Sequence, residues 1–297
     1  MRIIACPGQG SQSQGFLTPW IESIPGFRAK LVELGEACGK DLVYLGTEAD
    51  EETIKDTANA QPLIVGASIA AYRTALQTLE IDFVVGHSVG EFAAAAISGV
   101  LTDEDAMKLV GIRAQAMAEA ATQHPTSMAA ILGGEAEQVI AHLAAMGLEA
   151  ANYNGSGQIV AAGAKSLISE LISNPIAGTR CIELKVAGAF HTHYMQSAVA
   201  TLQEAAASVT VSDPQLKLVS NQAGQQVEGG SEYLSLLVSQ VANPVRWDLC
   251  MAALNLEGAQ LIELPPAGAL AGLAKRGMAQ VSAIALKSPA DLEKIGH

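Results

Sequence analysis

Aromatic side chains make up only 4% of this chain of 297 residues, so its core must be built on Ala, Leu, Val and Ile. Charge is also thin: 16% of residues carry one against 49% hydrophobic, which excludes disorder as a description of the whole chain. Cysteine is limited to Cys6, Cys38, Cys181 and Cys250, with no CxxC spacing. That scatter argues against a disulfide framework or a thiolate metal site, and for reduced thiols in the cytoplasm. No run approaches the roughly 18 apolar residues of a spanning helix. The N-terminus offers four apolar residues before Pro7-Gly8, too few for the apolar stretch of a secretory signal. Positive charge is the scarcer sign. Seventeen Lys and Arg against thirty Asp and Glu leave −13, which argues against nucleic acid or an anionic membrane as a partner. Gly (28) and Pro (11) show no short period, excluding a collagen-like chain, and the length suits one large domain or two intimate ones.

What is present is an alternation of strand and helix signals. Ile3 to Cys6 is a short apolar run that stops at Pro7-Gly8-Gln9-Gly10-Ser11-Gln12, a buried strand followed by a Gly-rich loop. Pro62 is expected to open a helix whose buried face carries Val65, Ile69, Tyr72, Leu76 and Leu79. Ile81 to Val85 reads as a strand, Gly86-His87-Ser88-Val89-Gly90-Glu91 as a tight turn, and Phe92 to Ala96 as a helix stopped by Ser98-Gly99. Thr102 reads as an N-cap with Asp103, Glu104 and Asp105 in the first turn. That helix runs to about Ala121, and Arg113 lies on its apolar stripe with Leu109 and Met117.

From Pro125 to Val186 the rhythm becomes strand, helix, strand, strand, helix, strand, with an Asn-Gly-Ser-Gly turn in the middle. The expected fold is therefore α/β: an α/β-hydrolase-like core (1–124 and 188–297) with a mostly parallel sheet, and an inserted ferredoxin-like βαββαβ subdomain (125–187). Further strands are expected at Lys217 to Ser220 and Gln260 to Leu264, and a helix carrying Met195, Ala198 and Leu202 after Phe190-His191-Thr192-His193.

Gly86-His87-Ser88-Val89-Gly90 fits G-x-S-x-G between a strand and a helix. The glycines permit a sharp, strained turn that lifts the serine hydroxyl clear of the backbone. The free N–H groups of the following helix, Val89 among them, can then stabilise a developing oxyanion. A serine nucleophile needs a base. His87 is expected to point away from Ser88; His124 and His142 fall in a loop and on a helix of the insert; His297 is terminal. His191 and His193 remain, and spacing does not decide between a base and a structural histidine. Arg113 on an apolar stripe either snorkels to solvent, pairs with a buried acid or faces a cleft, where its fork matches a carboxylate. Ser88 with Arg113 suggests acyl chemistry on a substrate bearing a free carboxylate.

With these residues in place, the chain resembles the malonyl-CoA:acyl-carrier-protein transacylases of bacterial type II fatty-acid synthesis over essentially its full length. The motifs that carry the resemblance are Pro7 to Gln12, Gly86 to Glu91, Arg113, Asn152-Tyr153-Asn154, Gly188 to His191, Asn243 to Trp247 and Glu263 to Gly268. The resemblance implies that Ser88 carries a malonyl ester and that His191, four residues before Met195, is the base while His193 is not. It implies that the backbone carbonyl of Gln240 orients His191 in place of an aspartate. The N–H groups of Gln9 and Val89 would form the oxyanion hole, and Arg113 would clamp the malonyl carboxylate. It further implies ping-pong transfer from malonyl-CoA to the phosphopantetheine thiol of acyl carrier protein, with no metal or other cofactor, by a chain expected to be a monomer. Phe190 before the histidine would favour malonyl over methylmalonyl, as would Val89 after the serine.

Acyl carrier protein is generally acidic, so docking onto a chain at −13 needs a local basic patch; Arg73, Lys185, Lys275 and Arg276 are candidates. A stand-alone acyltransferase of polyketide synthesis is the nearest alternative. A serine hydrolase or thioesterase is more distant, since it needs a late histidine and here only His297 is available. A non-catalytic scaffold would need none of Ser88, His191, Arg113 and Gln9.

Overall fold

The computed structural model describes residues 1–296; His297, the late histidine of the hydrolase reading, lies outside the described residues. In chain order the strands are β1 (Arg2–Cys6), β2 (Phe83–Gly86), β3 (Thr126–Gly133), β4 (Glu149–Gly155), β5 (Gln158–Ala164), β6 (Thr179–Glu183), β7 (Lys217–Val219), β8 (Gln226–Val227), β9 (Ala259–Glu263) and β10 (Val281–Ala285). Among the described residues they form two sheets: a six-stranded one in the order β10-β9-β1-β2-β7-β8 and a four-stranded one in the order β4-β5-β3-β6. Every pairing in the first is parallel except the β7–β8 hairpin, and every pairing in the second is antiparallel.

The parallel strands are apolar on both faces because both faces are covered. Ile4, Val84, Leu218 and Ile262 face one way into the larger core. Ile3, Val85, Val219 and Leu261 face the other way, against Trp247, Cys250, Leu254, Leu270 and Leu273. Ala93 to Ala96 are wholly buried, and the small side chains let the helix Gly90–Ser98 lie close to β2. In β3 the alternation has a different result. Ala129 and Ile131 pack on the helices Ala136–Met146 and Lys165–Ser173, while Met128 and Ala130 face the opposite way, into the cleft between the sheets. The backbone of Val245 joins the two units: it accepts from Tyr153 N–H at 2.9 Å and donates to Ala151 carbonyl at 2.9 Å.

The helix expected to begin at Pro62 begins five residues earlier, at Thr57, with Asp56 as N-cap accepting from Ala58 N–H. Its apolar residues were expected on one buried face, yet Ala60 to Ala71 are buried all round. The segment is a central helix packed between the N-terminal helices and the helix Asp103–Gln123, so periodicity could not mark a solvent side. Tyr72–Leu76 continues it as a single π turn. Thr102 does cap its helix, accepting from Asp105 N–H at 3.0 Å. Arg73, a candidate for carrier docking, is instead occupied: its guanidinium donates to Asp103 at 2.9–3.3 Å and to the Ala96 carbonyl at 2.8 Å. No helix of the described residues is long and apolar enough to cross a membrane.

Candidate active site

The site lies at the carboxyl ends of β1 and β2, where ligands bind in open parallel sheets. β2 ends at Gly86, His87 N–H extends the pairing to Cys6 carbonyl at 3.0 Å, and the helix Gly90–Ser98 begins two residues after Ser88. The backbone strain of this turn sits on the serine. Ser88 has φ 51°, a left-handed conformation that a non-glycine residue holds only when its surroundings impose it. The glycines serve close approach: a Cβ on Gly86 would meet Glu91 N at 2.2 Å, and one on Gly90 would meet the Cys6 carbonyl oxygen at 2.2 Å. Asn221 braces the turn, its Oδ1 accepting from Ser88 N–H at 2.7 Å and its Nδ2 donating to the Gly86 carbonyl at 2.6 Å.

His191, also left-handed at φ 62°, faces Ser88 from the segment that re-enters the larger unit after β6. Its Nε2 lies 2.7 Å from Ser88 Oγ and its Nδ1 2.9 Å from the Gln240 carbonyl oxygen. A carbonyl only accepts, so Nδ1 holds the proton and the Nε2 lone pair faces the serine hydroxyl. Burial, and then the positive charge of Arg113, push the His191 pKa down to about 3, so the ring is neutral across the physiological range. No other histidine pairs with Ser88 among the described residues. His87 Nε2 is 3.1 Å from Asn154 Oδ1 with its ring against Trp247; His193 pairs with Glu149 on the surface; His124 packs on Tyr194.

Arg113 reaches the site from the middle of the helix Asp103–Gln123 and is only 1% exposed. Nη1 donates to Gln61 Oε1 at 2.6 Å; Nη2 donates to Gln240 Oε1 at 3.0 Å and lies 3.4 Å from Ser88 Oγ. Among the described residues no carboxylate pairs with it directly, and its Nε has no partner. Burial lowers its pKa to about 10, so it remains a cation at neutral pH. A buried guanidinium held only by neutral amides, beside a serine hydroxyl, has the charge and the free donors to hold an anion. The surrounding cavity has a volume of about 180 Å³ and is lined by Ser88, His191, Arg113, Gln9, Val89 and Phe190 on one side, with Met128, Ala130 and Val160 opposite. The N–H groups of Gln9 and Val89 have no hydrogen-bond partner among the described residues. An outer space of about 340 Å³ continues past Gln9 and Asn154 to Leu270 and Arg276.

The structure brings Gln9, Ser88, Val89, Arg113, Phe190, His191 and Gln240 together. It adds three residues whose part was not visible in the sequence: Gln61, Glu91 and Asn221. Two of them carried a signal, each a polar side chain directly before an apolar run: Gln61 before Pro62-Leu63-Ile64 and Glu91 before Phe92-Ala93-Ala94. Asn221 in the loop after β7 carried no such mark. Among the described residues no three His, Cys, Asp or Glu side chains cluster as metal ligands.

A family model described as an acyl transferase domain matches residues 4–291. The chain is 46% identical over 289 residues to the malonyl CoA-acyl carrier protein transacylase of Mycolicibacterium smegmatis, covering 93% of this chain and 98% of that protein. It is 43% identical over 302 residues to the protein of the same name from Mycobacterium tuberculosis, with both chains fully covered. The crystal structure of the transacylase from M. tuberculosis matches with TM-score 0.94, again over the whole of both chains. A malonyl-transacylase solved in complex with its type II polyketide acyl-carrier protein matches with TM-score 0.93 and 28% identity, over 99% of this chain and 98% of that one. By sequence and by fold, this chain belongs to the acyl transferase domain family, among its malonyl CoA-acyl carrier protein transacylases.

Proposed function

We propose that this chain moves malonyl groups from malonyl-CoA to the phosphopantetheine thiol of acyl carrier protein, supplying fatty-acid elongation, through a malonyl ester on Ser88. The observation that carries the reading is Arg113: a buried cation without a carboxylate partner, 3.4 Å from the hydroxyl that His191 activates. In the first half-reaction Ser88 Oγ attacks the thioester carbon as its proton passes to His191 Nε2. The carbonyl oxygen becomes an oxyanion facing the N–H groups of Gln9 and Val89. The C–S bond then breaks, and the CoA sulfur leaves with the proton from His191. In the second half-reaction the carrier thiol gives its proton to His191 and attacks the ester carbon. The Ser88 C–O bond breaks, the hydroxyl recovers the proton, and the malonyl thioester departs on the carrier.

Arg113 holds the malonyl carboxylate throughout, and the charge it loses to that ion pair raises the basicity of His191 when the correct acyl group is present. Nothing in the reaction needs a metal or redox cofactor, because one substrate brings the activated bond and the other the thiol. The outer space past Asn154 suits the pantetheine arm of either substrate. Arg276 at its rim, with exposed Lys185 and Lys275, is the basic patch we assign to the acidic carrier. We read residues 125–187 as the inserted unit, 1–124 with 188–297 as the catalytic core, and the working protein as a cytoplasmic monomer. Intact mass after brief incubation with malonyl-CoA tests the function. A malonyl-sized adduct that holo acyl carrier protein discharges is expected; its absence with wild-type protein would remove the reading.

A further inference from the structure

Glu91 follows the nucleophile turn in sequence, yet no step above uses it. It is the second residue of the helix Gly90–Ser98 and is 1% exposed. Both its oxygens accept. Oε1 takes the N–H of Asn221 at 2.8 Å, with Tyr233 Oη at 3.4 Å, and Oε2 takes the side-chain amide of Gln240. These two partners are also the ones that hold Ser88 by both of its peptide groups: Asn221 Oδ1 accepts from Ser88 N–H, and Gln240 Nε2 donates to the Ser88 carbonyl at 3.1 Å. Gln240 meanwhile carries His191 on its main-chain carbonyl and Arg113 on its Oε1.

The chemistry of the partners fixes the direction of this chain of bonds. A carboxylate can only accept, so it demands the NH2 of Gln240. With the NH2 so committed, Oε1 must face Arg113. An uncharged amide at position 91 would place its own NH2 against either the Asn221 N–H or the Gln240 NH2, a donor against a donor. We infer that Glu91 is a positioning residue for the transfer: through Gln240 and Asn221 it fixes the strained Ser88, the His191 carbonyl support and the Arg113 clamp in one arrangement. The inference rests on Ser88 and His191 being the reacting pair.

Burial of this carboxyl raises its pKa to about 7, which gives the role a readout of its own. The titratable groups around it are Arg113 from the helix Asp103–Gln123, Tyr233 from Gly230–Ser239, Cys250 from Trp247–Leu254, Cys6 from β1, and His191 and His87. Burial pushes Tyr233, Cys250 and Cys6 upward, while Arg113 stays charged to about 10. His191 titrates at about 3, and burial lowers His87 below its ordinary value. A rate limb near neutrality that depends on residue 91 therefore belongs to Glu91.

The test is the rate at which phenylmethylsulfonyl fluoride labels Ser88, followed by intact mass from pH 5 to 9 in wild type and Glu91→Gln. This neutral reagent needs the Ser88–His191 geometry but no carboxylate clamp. Wild type is expected to label faster as pH rises through about 7 and then level off. Glu91→Gln is expected to label at least tenfold more slowly at pH 8, with no limb, while melting cooperatively near the wild-type temperature. A variant that labels at the wild-type rate with the limb intact overturns the inference. Should Glu91→Gln fail to fold, wild type decides: a rate unchanged between pH 6 and 8 overturns it as well. Failure of wild-type Ser88 to label at any pH overturns the transacylase reading instead.

Discussion

The two walls of the cleft are built differently. The wall contributed by the parallel-sheet unit is polar and bonded several times over: Ser88, Arg113, His191, Gln240, Asn221 and Glu91 share hydrogen bonds, and two of its residues are held at positive φ. The wall contributed by the antiparallel sheet presents Met128, Ala130 and Val160 together with Asn152, Asn154 and Gln158, and its polar tie to the Ser88 turn is the bond between Asn154 and His87. Reacting atoms need fixed angles, which hydrogen bonds impose. An acyl chain needs only a space of the right size, which packed apolar groups define within a tolerance. Changes at the bonded polar groups are therefore expected to alter whether the reaction occurs, and changes at the packed apolar groups to alter which acyl group reacts.

The sharpest way to break the comparison is Ser88→Ala. It deletes the hydroxyl proposed to carry the malonyl ester, and transfer is expected to fall by about 10⁴-fold or more, with no adduct by intact mass. Any malonyl adduct that persists in this variant would move the nucleophile away from the Gly86–Gly90 turn. Arg113→Ala comes next. Leaving the malonyl carboxylate buried and unpaired is expected to slow acylation by malonyl-CoA about 10²- to 10³-fold. Acetyl-CoA, which lacks the carboxylate, should not be slowed by that factor, so the ratio of the two rates is the measurement. An unchanged ratio would separate the guanidinium from the substrate.

These two residues were also the ones legible in the sequence, because each sits in a local pattern: Ser88 in a strand–turn–helix and Arg113 out of place on an apolar stripe. The alternation of β3 and β5, and the turn between β4 and β5, were readable for the same reason, since pairing within the unit is local. The network behind the site was not. Glu91, Asn221 and Gln240 meet across separations of 130 and 149 positions, which no periodicity records. The short N-terminal helices Thr18–Ser23, Leu42–Thr47 and Glu51–Lys55 were equally hidden, each having too few residues to show a repeat.

Glu91 can also be read through stability. Its pKa is about 7 in the folded chain and near the ordinary carboxyl value when unfolded, so the folded state binds the proton more tightly. The resulting stabilisation is fully present below the unfolded value and is lost as pH rises through about 7; roughly 3 kcal/mol is at stake. His191 and His87, lowered by burial, act oppositely below their unfolded values. The Glu91 contribution is therefore isolated as the difference between wild-type and Glu91→Gln denaturation curves. Relative to the variant, wild type should lose stability between pH 5 and 8. A difference independent of pH would mean that the carboxyl ionises no differently when folded.

The smallest effect belongs to a packed apolar group that sits outside the antiparallel sheet, on the side of Ser88 and His191. Phe190 is 7% exposed and lines the cavity beside His191 without a hydrogen bond from its side chain, so it acts through volume. A methyl branch at C2 of the acyl group needs space that a phenyl ring denies, and such steric choices amount to about 1–3 kcal/mol. Phe190→Ser is expected to shift the malonyl-to-methylmalonyl labelling ratio by about tenfold in a competition read by intact mass. Labelling of the same variant by malonyl-CoA alone should change far less than in Arg113→Ala. A variant whose ratio moves while its malonyl rate holds would show that packed apolar groups set size while bonded polar groups set the chemistry, even side by side. If both rates fall together, Phe190 is supporting His191, the next residue in the chain, and the apolar lining shares in the geometry of the site.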